Sequence, residues 1–280
     1  MIAMSKEERI MNEYYTSDWD IQADYLLDYD VFDKVARFHQ STTFTYKKNQ
    51  IPKGVRQDLY TWLLENERKL SLPKNYISKV KLNDFKLEQR NSPLNFDNQY
   101  IIPFKLLSEI LHRSFGADKK SKSRSFPSAG ALYPIIVLVL VFDKSKIDGI
   151  VDNGVYFYNV YENSLLQIQK WEKNDMEKIA NAFYLNEGFP SPIAIGYSID
   201  MRKSLLKYRT KGYRHALIEI GLMAQRLREV LISITNNTFG ERCWSGFSDN
   251  SLTYYSGLNV RHSPITLVQW FGKRMENHDI

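Results

Sequence analysis

The sequence predicts an α+β protein in which helices are layered on a β-sheet. An unbroken apolar run rich in β-branched residues, Ile135–Phe142, is typical of a strand that is buried on both faces. Apolar residues recur every three or four positions through Tyr213–Ile234, which is the clearest helical pattern in the chain. Strands and helices occur without regular alternation, and this favours a layered α+β domain.

The remaining elements follow from shorter patterns of the same kind. The strands are expected to include a hairpin with Glu162-Asn163 at its turn. In chain order, the sequence predicts a helix at Phe104–Arg113, hairpin strands at Val155–Val160 and Leu165–Ile168, and single strands at Ile193–Tyr197 and Ile265–Trp270. Residues 1–75 are interpreted as a helical N-terminal extension, and residues 76–280 as the main domain.

Composition excludes several classes of function. The chain has 280 residues and a formal net charge of +6, without zinc-finger spacing or a long basic stripe, which argues against nucleic-acid binding. Its single cysteine, Cys243, excludes an intrachain disulfide and a cysteine metal cluster. The longest apolar run is too short to span a bilayer, and no signal peptide is visible. We therefore expect a soluble, cytoplasmic protein that binds no membrane.

The segment Arg124–Pro134 is the most informative part of the sequence. Its small residues Ser128, Ala129 and Gly130 would leave the backbone open, so that N–H groups can approach a flat ligand closely. The Ser128 side chain adds a hydroxyl group. Taken alone, Pro127–Gly130 could equally be a plain tight turn.

Further motifs in the same order along the chain make this segment more specific. They are Phe38-His39-Gln40-Ser41-Thr42, Arg90-Asn91-Ser92-Pro93-Leu94-Asn95-Phe96, Pro127–Pro134, Leu206-Lys207-Tyr208 with Gly212-Tyr213-Arg214 and Glu219-Ile220-Gly221, and Trp244-Ser245-Gly246-Phe247-Ser248-Asp249. From about His39 to Gly272, the sequence resembles the flavin-dependent nitroreductase superfamily. More narrowly, it resembles the SagB-type dehydrogenases of ribosomal peptide biosynthesis.

The resemblance implies a fold, a cofactor and an assembly. The fold would be a nitroreductase-like mixed sheet wrapped by helices, in a homodimer whose C-terminal segments extend onto the partner. FMN would lie at the dimer interface. The implied cofactor-binding residues are Arg90, Ser92, Pro127, Ser128, Ala129, Gly130, Gly246, Phe247 and Arg274. Asn91 and Leu94 stand where the family favours arginines, and Arg124 or Lys122 could compensate for the missing charge.

The catalytic pair of the family corresponds to Lys207 and Tyr208. A lysine acts as a base only when burial or a nearby cation favours its neutral amine, and several cations surround Lys207 in the sequence. Tyr208 would donate a hydrogen bond or relay a proton. Because neighbouring residues on a helix point in different directions, we expect this segment to be a loop or a helix start.

Three functions remain open from the sequence. The first is oxidation of thiazoline or oxazoline rings to thiazole or oxazole in a ribosomally made peptide, which is what the resemblance implies. The second is the reverse direction, FMN-dependent reduction of a dehydroamino acid such as dehydroalanine, or of another activated alkene or nitro group. The third is an inactive flavin-fold subunit that scaffolds a cyclase partner. The intact Lys207-Tyr208 pair argues against the third.

Overall fold

The computed structural model describes residues 25–43, 57–66, 69–70, 72, 74–86, 92–185 and 188–275. The chain divides into two compact units, one formed by Met1–Phe44 with Ser92–Ile280 and the other by Thr45–Asn91. The predicted extension over residues 1–75 has a different boundary and stays a prediction. Among the described helices, none is long and apolar enough to cross a bilayer.

Helices and strands of the described residues are numbered in chain order. The helices are α1 Tyr29–Thr42, α2 Gln57–Asn66, α3 Phe104–Phe115, α4 Lys173–Ala182, α5 Met201–Tyr208, α6 Thr210–Thr235 and α7 Asp249–Tyr255. The strands are β1 Ile135–Val141, β2 Gly154–Asn159, β3 Ser164–Lys170, β4 Ile193–Ile199, β5 Phe239–Trp244 and β6 Ile265–Lys273. Helix α2 belongs to the smaller unit, where Trp62 and its apolar neighbours are exposed.

The α+β class and the elements predicted from the sequence are confirmed. The strands form one sheet in the order β3-β2-β1-β4-β6-β5. Every pairing between these strands is antiparallel, whereas the resemblance implied a mixed sheet. Short connections such as the β2–β3 turn, where Asn163 takes a left-handed φ of 52°, reverse the chain direction between neighbours.

The central strands are buried on both faces because helices cover both sides of the sheet. Val139 of β1 faces a core that it shares with α1, α3 and α6. Leu138, its neighbour along the strand, faces a second core that includes Phe183 after α4 and Leu252 of α7. This explains why β1 is a continuous apolar run rather than an alternating one.

The strand register defines two ends of the sheet. Ile135 pairs with Ile199, and Ser198 pairs with Ile265, so these residues share one end, which we call the turn end. At the opposite end, here called the far end, Phe239 pairs with Lys273. A strand the length of β1 rises by ~20 Å, so side chains at the two ends of the sheet do not meet.

Candidate functional site

The Pro127–Pro134 turn enters β1 at the turn end of the sheet. Gly130, Ala131 and Tyr133 take left-handed φ values of 61°, 53° and 48°. The turn is closed by hydrogen bonds from Ala131 N to Ser128 O at 3.1 Å, from Leu132 N to Ala129 O at 3.4 Å and from Tyr133 N to Ser128 Oγ at 2.9 Å. Left-handed conformations are strained for residues other than glycine, and strain of this kind concentrates at functional sites.

The turn leaves backbone donors available on its outer side. The N–H groups of Ser128, Ala129 and Gly130 donate to no other described group of the protein. Gly130 is exposed, and Ser128 and Ala129 are half-buried, so a ligand can reach them. Consecutive free N–H groups in a turn form a concave site for an anion or for the polar edge of a ring. The Ser128 hydroxyl, by contrast, is engaged inside the turn.

Helix α5 begins against the end of this turn. The Asp200 side chain caps the helix by accepting from Lys203 N at 3.0 Å, and Asp200 N donates to Pro134 O at 2.8 Å. Lys203 Nζ lies 3.4 Å from Tyr133 O, to which it donates. These contacts fix the direction in which α5 runs away from β1, and they determine where its last residues lie.

Lys207 and Tyr208 end helix α5 and converge on Gly130. A Cβ added at Gly130 would lie 2.5 Å from Tyr208 Oη and 2.7 Å from Lys207 Nζ. The ammonium group lies 5.4 Å from the centroid of the Tyr208 ring. The expectation that this segment is a loop or a helix start is wrong. The pair converges because α5 stops at Tyr208, where Arg209 reverses the chain with a φ of 51°.

The junction between α5 and α6 is held from two sides. Gly212 lies so close to Ser204 O of α5 that a Cβ at this position would overlap the carbonyl oxygen. Helix α1 contacts the junction through the Asp28 carboxylate, 2.7 Å from the Arg209 guanidinium. The position of the Lys207-Tyr208 pair therefore depends on α1 as well as on its own helix.

A buried histidine–tyrosine contact reinforces the α1 attachment. His39 Nδ1 lies 3.0 Å from the Tyr213 hydroxyl on the first turns of α6. Burial lowers the pKa of His39, so the ring is held neutral at physiological pH. The motif Phe38-His39, which the sequence pointed to without a role, therefore attaches α1 to the helix that follows the Lys207-Tyr208 pair.

Glu219 of α6 lies beside the turn, although the sequence points to it only as part of the motif Glu219-Ile220-Gly221. Its side chain is 2% exposed and lies under the turn. Burial raises the pKa of this carboxyl to about 7, although a hydrogen bond from Ser128 and the charges of Arg124 and Lys203 act in the opposite direction. The signal in the sequence is a glutamate on the apolar face of α6, next to the buried Ile220.

The basic residues before the turn have different surroundings. The Arg124 guanidinium stacks on the Tyr133 ring, 4.4 Å from its centroid, and burial lowers its pKa. Arg124 therefore braces the turn from within. Lys122 is exposed and lies 5.2 Å from the centroid of the Tyr161 ring. A role for either residue toward a phosphate group stays a prediction.

Other implied cofactor-binding residues lie at the far end of the sheet. Arg274 donates from Nε to Phe239 O at 3.2 Å. A Cβ at Gly240 would lie 2.8 Å from Pro93 Cγ and 3.1 Å from Arg274 Cζ, so the Ser92-Pro93 segment and Arg274 meet there. Arg90 lies outside the described residues. Within one chain, this group is separated from Pro127–Gly130 by the length of β1.

Gly246 and Phe247 lie on the loop after β5. The sheet order puts β4 and β6 between this loop and β1. The Phe247 side chain is fully buried and packs on Phe183, with ring centroids 5.9 Å apart. The Phe247 ring therefore belongs to the core. The Gly246 carbonyl accepts from Trp244 Nε1 at 2.9 Å. Gly246 and the loop backbone stay open to a ligand.

Comparisons with known proteins confirm the resemblance to the nitroreductase superfamily that was inferred from the sequence. The microcin B17-processing protein McbC of Escherichia coli is 27% identical over 190 residues, which cover 68% of this chain and 69% of that protein. A protein of Methanocaldococcus jannaschii named as a nitroreductase is 26% identical over 208 residues, which cover 71% and 94% of the two chains.

The fold is also similar to that of a chain of the Escherichia coli microcin synthetase McbBCD complex, solved with truncated pro-MccB17 bound. The TM-score is 0.78 at 24% identity, over 91% of this chain and 97% of that chain. No family model matches the chain. These comparisons support an oxidoreductase with the nitroreductase fold.

Proposed function

We propose that this chain is an FMN-dependent oxidoreductase that tailors a ribosomally made peptide by oxidising thiazoline or oxazoline rings to thiazole or oxazole. The observation that carries the proposal is the convergence of Lys207 Nζ and Tyr208 Oη on Gly130, beside a turn with unpaired N–H groups. The similarity to the microcin B17-processing protein McbC, and to a microcin synthetase chain with the same fold, supports it.

The residues of the turn fit a flat flavin. Ser128, Ala129 and Gly130 offer N–H donors to the polar edge of a ring, and the small side chains allow close approach. Ser92 and Arg274 would hold the phosphate, because a guanidinium grips phosphate oxygens through paired hydrogen bonds. Gly246 would contribute backbone alone.

One chain cannot bring both groups of residues to one cofactor. The turn lies at the turn end, and Ser92 with Arg274 lies at the far end, which is ~20 Å away along β1. The proposal therefore includes a homodimer, in which the turn of one copy faces the phosphate-binding residues of the other and the C-terminal segment extends onto the partner.

Helix α6 offers a surface suited to that homodimer. Ile218 is 56% exposed and Leu222 is 40% exposed, with Leu217 beside them. Gly221 lies between them, and a Cβ there would meet nothing within 4 Å. An apolar stripe with a glycine on a long helix suits close packing of another helix.

The protein residues would manage the proton in this reaction. Bound FMN would supply the hydride acceptor for this oxidation. Lys207 Nζ or Tyr208 Oη takes the proton from the neighbouring carbon, since both reach the same point beside Gly130. The Tyr208 ring is oriented by His215 of α6, which it contacts edge-on with ring centroids 4.9 Å apart.

We also propose that a peptide and a cyclase are the partners of this chain. Support comes from the McbBCD structure, which holds several proteins and a truncated pro-peptide together. The azoline ring must be formed by another enzyme before it can be oxidised, so a cyclase would supply the substrate.

The test measures the colour of the purified protein, the mass change of a candidate peptide and the turnover of a variant. Purified protein should be yellow and release FMN on denaturation, and an azoline peptide should lose two hydrogens. Lys207→Ala should retain flavin and lose turnover, while Lys178→Ala on α4, on the opposite face of the sheet, serves as the matched control. If a dehydroalanine peptide gained two hydrogens in the presence of a reductant and the azoline peptide lost none, the reaction would run in the reverse of the proposed direction.

A further inference from the structure

A small cavity lies directly behind the turn, between it and helices α5 and α6. Its volume is about 10 Å³, close to the space that one water molecule needs. Two polar atoms of its lining residues, His215 Nδ1 and Glu219 Oε1, are buried without a hydrogen-bond partner among the described residues. The lining residues are Ala129, Leu132, Pro134, Ser204, Tyr208, Gly212, His215 and Glu219.

His215 and Glu219 connect this cavity to both halves of the site. They are four residues apart on α6 and therefore lie on one face of the helix. The His215 ring contacts the Tyr208 ring at a centroid distance of 4.9 Å. On the other side, the Glu219 carboxyl accepts a hydrogen bond from Ser128, whose hydroxyl also accepts from Tyr133 N. Glu219 thus contacts the turn, and His215 contacts the catalytic pair.

Charged groups on the segment before the turn and on α5 act on Glu219. Arg124, on the segment before the turn, stacks on Tyr133 and hydrogen-bonds the Tyr161 hydroxyl. Lys203 of α5 donates to Tyr133 O. Both cations act on the Glu219 carboxyl, while Tyr208 and His215 are the titratable groups across the cavity.

We propose that Glu219 is a positioning residue for Lys207 and Tyr208. Glu219 shares one water molecule with His215 in this cavity, and it takes up or releases a proton while the site works. One water that hydrogen-bonds to both atoms satisfies them, and a buried polar atom without a hydrogen bond is costly. Lys207 or Tyr208, once it has taken the substrate proton, passes a proton through the water to the Glu219 carboxylate. Glu219 becomes a neutral acid, and the group that gave up the proton returns to its starting charge. The inference rests on the proposed function, where Lys207 and Tyr208 handle the substrate proton.

The charge of Glu219 then controls how firmly the turn is held. As a carboxylate, it attracts Arg124 and Lys203, which both hold Tyr133. As a neutral acid, it releases that attraction and can donate a hydrogen bond instead. Burial raises the pKa of Glu219 to about 7, so both forms are populated near neutral pH.

The test observes Tyr208 directly and needs no substrate. Tyrosine is labelled with ¹³C at Cζ in the purified full-length protein, and the Tyr208 resonance is assigned by its absence from Tyr208→Phe. We expect this resonance to shift with a midpoint near pH 7 in the native chain, and the transition to disappear in Glu219→Gln. Glu229→Gln, an exposed glutamate of the same helix, should retain it.

Two further variants keep the result interpretable. Glu219→Asp retains an acid and should restore a transition, and His215→Gln should weaken the coupling to Tyr208. A transition that persists in Glu219→Gln, or one that is absent from the native chain, would overturn the inference. Should Glu219→Gln not fold, the native chain and Glu219→Asp still decide the matter, because a native Tyr208 resonance without a step near pH 7 contradicts the coupling.

Turnover gives an independent readout. Glu219→Gln should lower kcat roughly 10- to 100-fold with little change in KM and should flatten the pH profile near neutrality, as expected for a lost contribution to proton transfer. An equal loss at every pH would indicate a merely structural role. If the native protein leaves azoline peptides unchanged while the Tyr208 transition follows Glu219, the proposed function fails and the coupling stands.

Discussion

Tyr208 lies so close to Gly130 that a Cβ on the glycine would come within 2.5 Å of the tyrosine hydroxyl. Lys207 Nζ would lie 2.7 Å from the same position. The pair can lie against the turn backbone because residue 130 has no side chain. Gly130 also has a φ of 61°, which few other residues adopt without strain. Sterics and conformation therefore both require glycine here.

Gly130→Ala should displace Lys207 and Tyr208 and reduce turnover at least tenfold. The left-handed conformation alone should cost about 1–2 kcal/mol of unfolding free energy. Gly188→Ala is the matched control, because Gly188 has a φ of 88° and a Cβ there would meet nothing within 4 Å. Urea unfolding and turnover of both variants check this. If the control lost as much turnover as Gly130→Ala, the loss would be due to backbone strain and not to displacement of Lys207 and Tyr208.

Tyr208→Phe should lower kcat by about 10²-fold with unchanged stability. The ring packing on His215 and the contact with the Lys207 ammonium are preserved, and only the hydroxyl beside Gly130 is lost. Tyr254→Phe, at an exposed tyrosine of α7, serves as the control and should behave as the native protein does. Full turnover by Tyr208→Phe would mean that Lys207 alone takes the proton from the substrate.

The sequence predicted those parts of the fold that have strong periodicity. β1 is an unbroken apolar run because both its faces are buried, and α6 has a long apolar face. Strand β5 has no such pattern, because it contains Gly240, Glu241 and Arg242. The Glu241 side chain is buried through an ion pair with Arg228 of α6. Helices α4, α5 and α7 are short and polar, so that tertiary contacts rather than periodicity define them.

Residue types at the site could be predicted, but the relations between them could not. The turn and the Lys207-Tyr208 pair were found because their motifs are local in the sequence. The sequence could not show that the pair ends a helix, since Arg209 reverses the chain with a left-handed φ that non-glycine residues rarely adopt. Glu219 was missed as a site residue because its importance comes from burial under a turn 90 residues away in the sequence.

Gly212→Ala should destabilise the junction of α5 and α6 by about 1–3 kcal/mol, because the added methyl group overlaps Ser204 O and the two helices must separate. Since this movement shifts Tyr208, turnover should fall as well. Glu177→Ala, at an exposed position of α4 on the opposite face of the sheet, is the control and should change the unfolding free energy by no more than about 0.5 kcal/mol. Equal effects of both substitutions would contradict the close packing at Gly212.

Stability should depend on pH through Glu219. Its pKa is raised from 4.5 to about 7 in the folded chain, so between these values the folded state binds the proton more tightly than the unfolded state does. The corresponding stability is fully present below pH 4.5 and is lost as the pH rises through 7. Native protein should therefore lose up to about 3 kcal/mol relative to Glu219→Gln between pH 4.5 and 8. Urea unfolding of both proteins at each pH measures the difference, and parallel curves would contradict the raised pKa.

A charge on the exposed face of α6 should separate the proposed homodimer. Ile218→Asp places a carboxylate in the apolar stripe with Leu222, and an uncompensated charge in a helix interface is strongly disfavoured. We expect a monomer in sedimentation analysis, with flavin lost at the same time, because the turn and the Ser92–Arg274 group lie at opposite ends of one sheet and need two copies to meet. Tyr254→Asp, at a residue 72% exposed on α7, should remain dimeric and yellow. A monomeric Ile218→Asp that still binds FMN would mean that one chain holds the cofactor, and the phosphate would then have to be bound near the turn.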